Sequence, residues 1–340
     1  MKRFEFIDAL KGFAILLVVM GHIIPWNFVS FEHAIELQPT PILLWKVIYM
    51  FHMPLFIFIS GFLFGLSNFE SIKEYVAKMY KKGKILLIPY IVSGILVYMW
   101  RGVRPLTYWY LLTLFQLLVI VGCTNRIANC IKSKIIRIVV EILILLTILV
   151  LLNIIPRYFD HQYLHVGYEW YSHLREMFPY FVLGYLTMRY ISIDSIMNNF
   201  LYTLSILFFV IGLVIQIPHT TFLSINLVSL AGIYLCFYIF NCCFVDGVVV
   251  NYLKRIGKRT MSIYILHLFF VIQIVSIGDF FIELSKSGRM AFVSCFVLQF
   301  LFSLSLSLII MEMSLFLARL IKTSKLLSIL ILGDFQEKKN

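Results

Sequence analysis

Ten apolar stretches, each close to the length of a bilayer-crossing helix, follow one another along this chain: residues 9–26, 41–66, 84–100, 106–122, 135–155, 174–190, 200–217, 221–245, 260–277 and 290–318. A hydrocarbon core of about 30 Å takes about 20 helical residues to cross. Each stretch is continuously apolar, whereas a barrel strand would alternate apolar and polar residues over about ten positions, so helices are expected. Of the whole chain, 61% is apolar and 14% charged. A globular domain is about a quarter charged, and so large an apolar surplus has no aqueous fold to cover it. The composition therefore excludes a soluble globular protein, a disordered chain, a collagen and a coiled coil. Six cysteines without a CxxC pair exclude a disulfide-stapled secreted scaffold and a zinc ribbon, and reduced thiols are expected. The expected architecture is an all-α, polytopic helical membrane protein with about ten transmembrane helices, forming one membrane domain over residues 1–340.

The formal charge of +12 would suggest nucleic acid in a soluble protein. Here the cations sit between the apolar stretches, where they set orientation instead. With the N-terminus inside, 21 of the 29 Lys and Arg residues fall on the cytoplasmic side and six on the other, so both termini are expected to be cytoplasmic. The first stretch has the basic start of a signal peptide. It also holds Lys11 and His22 and is followed by no small-x-small cleavage site, so it reads as a retained helix.

Ionisable residues inside a span cost at least about 2.5–3.5 kcal/mol each on insertion scales, and each calls for a partner or a function. Lys11 and His22 are eleven residues apart, which on a helix brings them within about 20° of one face and separates them by about 16 Å along the axis. Asp8 joins the same stripe three residues before Lys11. Each residue has a structural reading too: Asp8 and Lys11 as an i, i+3 ion pair with Lys11 snorkelling to the interface, and His22 as an interhelical hydrogen bond. His52 and His267 fall mid-span at comparable depth, and three imidazoles from three helices suggest a polar cavity, with ordinary packed histidines as the alternative. Pro54 frees a backbone carbonyl, Gly61 and Gly65 have the spacing of a close helix crossing, and Ser60 bonds either its own helix or a substrate. Glu141 is placed to pair with Arg137 at i, i+4, and Glu312 has no assigned partner.

The segments FEFIDALKGFAILLVVMGH and FHMPLFIFISGFLFG resemble the acyltransferase-three family of integral membrane O-acyltransferases, whose hallmark is Arg or Lys, ten residues, then His in the first helix. Lys11 and His22 fit that spacing. KKGKILLIPY with Pro89, YWYLLTLF with Trp109, FPYFVLGYL with Gly184 and SIYILH with Tyr264 and His267 extend the likeness over nearly the whole chain in order. The family's commoner Arg is Lys here, which keeps the charge and loses the planar fork. The family's fused extracytoplasmic esterase-like domain is not expected in this chain.

The resemblance implies an enzyme that moves an acetyl or other acyl group from acyl-CoA to a hydroxyl of a cell-surface polysaccharide or lipid-linked sugar. Its expected location is a bacterial inner (cytoplasmic) membrane. Acetyl-CoA would be a donor substrate, with no permanently bound cofactor, and the partners would be membrane lipids, acyl-CoA and a glycan, with no nucleic acid. His22 is expected as the general base, supported by Lys11 and Asp8, because a neutral imidazole can take a hydroxyl proton. His52, Ser60, Tyr264, His267 and Trp109 are candidates for binding the oxyanion or the substrate, and an acyl-His22 intermediate is open beside direct transfer. Lys11, Lys81, Lys82, Lys84 and Arg255 would steer the phosphates of CoA; for the last four, headgroup contact and inside-positive topology are the alternative. In the aromatic segment at 156–176, Trp170, Tyr171 and Arg175, with Tyr163, Tyr168 and Glu176, would form an acceptor lip or else an interfacial belt. The four-residue spacing of His161, His165, Glu169 and His173 suits zinc, but Gly167 weakens that helix, and no metal is expected. A transporter or flippase of a sugar or acylated metabolite is the competing class, although no half-to-half repeat supports it. A membrane sensor would need a soluble effector domain, and none is visible.

Overall fold

A computed structural model describes residues 5–28, 39–102, 105–154, 165–216, 222–243, 247–272 with 274, 277 and 280, and 292–335. Among these residues every regular element is helical. The main helices are α1 (Glu5–Phe28), α2 (Pro39–Phe64), α3 (Ile72–Arg101), α4 (Trp109–Ala128), α5 (Lys134–Ile154) and α6 (His165–Tyr190). They are followed by α7 (Asn199–Gln216), α8 (Phe222–Tyr238), α9 (Val248–Gly257), α10 (Thr260–Leu266), α11 (Phe292–Ile321) and α12 (Lys325–Leu332). Seven of these helices, α1 to α5, α8 and α11, contain segments long and apolar enough to cross a membrane, as an integral multi-pass protein requires. Two further apolar helices, Asn199–Ile215 and Thr260–Phe269, are shorter.

Two of the ten expected stretches take a different form. Residues 174–190 are the C-terminal part of the longer α6, whose first turns carry Glu169, His173 and Arg175. The 260–277 stretch is not one continuous helix: α10 ends at Leu266 and a 3-10 turn follows over His267–Phe269. The backbone N–H of His267 and its ring Nδ1–H both donate to the Ile263 carbonyl. The chain beyond is held by Asn27 of α1, whose Nδ2 donates to Ile272 O at 3.1 Å and whose Oδ1 accepts from Ile274 N at 2.9 Å. Irregular backbone at membrane depth is tolerated where protein groups satisfy it. Asn27, which sequence reasoning passed over, does that here.

The chain divides into two compact units, one of residues 1–56 and 196–320 and one of residues 57–195 and 321–340. In the first, α1 runs against α9 with backbone nearly touching backbone. A Cβ on Gly12 would stand 2.1 Å from Leu253 O, and one on Gly257 would stand 1.6 Å from Asp8 O. Only glycine permits that approach. Pro54 removes the N–H that would bond the Met50 carbonyl, and Ser229 of α8 donates its hydroxyl to that carbonyl at 2.5 Å. The helix therefore passes its proline without an orphaned acceptor.

In the second unit the crossing expected of Gly61 and Gly65 is present. A Cβ on Gly61 would lie 2.1 Å from Phe181 O, one on Gly65 2.7 Å from Tyr185 O, and one on Gly184 2.1 Å from Phe58 O. The C-terminal half of α2 and α6 thus pack through reciprocal glycine notches. Helix α3 starts at Ser71, whose side chain caps Glu74 N. It ends at Gly102 in the left-handed region, with φ +66°.

Candidate active site

In the first unit Asp8 and Lys11 form the i, i+3 pair, with Lys11 Nζ 3.0 Å from Asp8 Oδ1. Further along α1 the part-buried His22 ring lies beside that of His267, with centroids 5.2 Å apart. The turn of α1 at Gly21 packs on Tyr49, and the Tyr49 ring is 4.8 Å from that of His52. His52 and His267 are 4% and 1% exposed. The three imidazoles expected at related depths are gathered in one region, with the Tyr264 ring 6.0 Å from His267.

Hydrogen bonding sets the tautomers. His52 Nδ1 is 2.8 Å from Ile48 O, and His267 Nδ1 is 3.1 Å from Ile263 O. A carbonyl only accepts, so both Nδ1 atoms carry the proton and a neutral ring leaves Nε2 as a bare lone pair. Neutral His52 and His267 are therefore acceptors at Nε2. Of the two expected uses, binding an oxyanion or binding the substrate, this arrangement suits the second, with each ring receiving a hydrogen bond from a hydroxyl. His267 Nε2 is buried with no hydrogen-bond partner among the described residues.

At the N-terminal end of α1 a polar cavity of about 540 Å³ is lined by Glu5, Asp8, Asn251, Lys254, Arg255, Lys258 and Arg259. Lys254 pairs with Glu5 at 2.8 Å. Arg255 pairs with Glu312, which supplies the partner that sequence reasoning left unassigned, and lies over the Tyr252 ring. Burial, and then the Glu312 carboxylate beside it, push the Tyr252 phenol up to about 12. Arg255 is the expected phosphate-steering residue that lines this cavity. Lys254, Lys258 and Arg259 join it there, and the signal for them was the basic run KRIGKR.

The second unit holds the remaining candidates. Ser60 Oγ is 3.1 Å from the Tyr110 hydroxyl. Trp109 stacks on His173 at 4.1 Å. Lys81 is exposed, Lys82 half-buried, and Lys84 lies over the Tyr80 ring at 4.2 Å. The Tyr171 hydroxyl donates to Leu152 O, while Arg175 pairs with Glu176, which also accepts from Ser172. Trp170 is part-buried. Tyr163 and His161 lie outside the described residues, as do the side chains of His165 and Tyr168, and no metal-ligand cluster is present among the described ones.

The same unit carries a buried polar network that the sequence did not announce. Glu141, fully buried, accepts from the Tyr185 and Tyr190 hydroxyls and pairs with Arg189 at 3.3 Å. Asn125 donates to Tyr185 at 2.7 Å, and Arg189 also reaches Asn129 and the Ser67 carbonyl. This corrects the expected Glu141–Arg137 pair: Arg137 instead donates from Nε and Nη2 to Ile131 O. Burial explains the exchange, since Glu141 faces inward toward α6, where a cation and two phenols are available.

Comparison with protein families matches residues 4–312 to a family described as an acyltransferase domain, acyltransferase three. No curated protein and no solved structure matches the chain.

Proposed function

Since the chain belongs to the acyltransferase-three family and is a membrane acyltransferase of non-aminoacyl groups, we propose that it transfers an acetyl group from acetyl-CoA to a hydroxyl of a cell-surface polysaccharide or lipid-linked sugar. The observation that carries this reading is the gathering of His22, His52 and His267 in one region, with Nε2 of the latter two free to accept. His22 takes the proton from the acceptor hydroxyl as its oxygen attacks the thioester carbonyl. Proton transfer of this kind supplies about 10²–10⁴ in rate, and orientation and oxyanion stabilisation supply the rest. Tyr264, whose ring is 6.0 Å from that of His267, carries a hydroxyl donor suited to the oxyanion, and Ser60 stays a candidate by its residue type. The acceptor lip of Trp170, Tyr171 and Arg175 stays part of the proposal.

CoA brings its phosphates to the cytoplasmic mouth, where the cavity beside Asp8 presents Lys254, Arg255, Lys258 and Arg259. Lys11 holds Asp8 at the rim and adds its charge. Lys81, Lys82 and Lys84 stay part of the proposal as cations of the cytoplasmic side. Both termini and this mouth face the cytoplasm, as the charge asymmetry requires, and the membrane is the bacterial inner one.

The test is purified protein in nanodiscs given labelled acetyl-CoA and extracted glycan. Label should pass to the glycan, and His22→Ala should abolish the transfer. Uptake of a sugar without acetylation would favour the transporter reading. Lys11→Ala should raise the donor KM severalfold while Lys11→Arg retains activity; an unchanged KM in Lys11→Ala removes Lys11 from the donor site.

A further inference from the structure

A buried polar atom without a partner in a native protein calls for a reason. Among the described residues His267 Nε2 is such an atom, on a ring 1% exposed and 5.2 Å from the ring of His22. Its state is imposed from the opposite side: Nδ1–H is committed to Ile263 O, which leaves Nε2 with a lone pair and no proton. Its position is imposed as well. The helix stops at Leu266, and the chain after the 3-10 turn is clamped by Asn27, five residues beyond His22 on α1. One helix therefore carries His22 and also holds the segment that presents His267.

We propose that His267 is the positioning and proton-sharing partner of His22, a role that rests on the acyl-transfer reading above. In the reaction the acceptor O–H bond breaks and its proton goes to His22. The oxygen's electron pair forms the new bond to the acyl carbon, the carbon–sulfur bond breaks, and the thiolate of CoA leaves. During that step His22 is a cation in a low-dielectric setting. The lone pair of His267 Nε2 accepts a hydrogen bond from the imidazolium and stabilises it until the proton passes to the thiolate. Atoms and charge balance without a further reactant. A hydrogen bond to this nitrogen is worth more from the imidazolium than from neutral His22, so it stabilises the protonated state selectively.

Two isosteric variants separate this role from a structural one. Asparagine reproduces the Nδ1 donor and keeps the Ile263 bond; glutamine reaches the Nε2 position and restores an acceptor. His267→Asn should lower kcat on the order of 10- to 100-fold at unchanged donor KM, the worth of one hydrogen bond to a charged group. His267→Gln should regain most of that loss. Wild-type kcat in His267→Asn, or equal loss in both variants, overturns the proposal. Should either variant fail to fold, histidine ¹⁵N shifts in the unaltered protein decide the matter: Nδ1–H with bare Nε2 supports it, and the Nε2–H form overturns it. If the unaltered protein transfers no acetyl group while the Nδ1–H form is found, the acyl-transfer reading fails and the tautomer assignment stands.

Discussion

Two regions, one in each unit, bury polar groups in opposite ways. Around Glu141 in the second unit, a carboxylate, a guanidinium, two phenols and two amides bond one another, so the buried charge is met on several sides. Around His22 in the first unit the rings gather, and one accepting nitrogen is sealed from solvent with no hydrogen-bond partner among the described residues. Both arrangements are costly to build inside a membrane protein. A saturated network returns that cost as rigidity and a unique packing, whereas an unsaturated one leaves capacity for a substrate or a proton in transit. On this argument the first region is the one we propose for chemistry, and the second is suited to holding helices together.

Substitutions can break or sharpen that contrast. The largest effect on stability is expected of Glu141→Ala, which strands Arg189 and should cost about 3–5 kcal/mol. It would be measured as a fall in Tm in detergent, with turnover per folded molecule close to wild type. A loss of turnover without loss of stability would place Glu141 in the chemistry and erase the distinction. Gly184→Ala drives a Cβ against the Phe58 carbonyl and should cost about 1–3 kcal/mol by overpacking, again read in Tm. Asn27→Ala sharpens the comparison, because Asn27 is a saturated residue inside the first region. It removes the hydrogen bonds to the part-buried Ile272 carbonyl and Ile274 N–H, at about 0.5–1.5 kcal/mol for each, and it should lower kcat as well by releasing the segment that follows His267. Ser229→Ala, which only uncovers the carbonyl behind Pro54, should cost about 1 kcal/mol and leave turnover unchanged.

Much of this was readable from residue order. Continuous apolar stretches gave helices because a bilayer leaves the backbone few alternatives. The Asp8–Lys11 pair followed from i, i+3 spacing, and the GxxxG spacing of Gly61 and Gly65 pointed to a close helix crossing, though not to its partner α6. Contacts between distant residues escaped. Glu141 had a cation four residues away in Arg137, and local spacing favours such a pair; burial against α6 instead matched it with Arg189, 48 residues on. The break at His267 escaped because an apolar run reads the same whether the helix continues or stops. What stops it is a ring bonded to its own helix together with an amide on α1. Tautomers are likewise invisible in sequence, since they depend on which carbonyl a ring nitrogen meets.

The account turns on the claim that the open histidine region is where a proton moves. The most direct test compares His22→Ala with Glu141→Ala in the same nanodisc preparation, following both acetyl transfer from labelled acetyl-CoA and thermal unfolding. His22→Ala should lose at least about 10²-fold in turnover with Tm unchanged, while Glu141→Ala shows the reverse pattern. Acetyl transfer at the wild-type rate by folded His22→Ala protein would contradict the account.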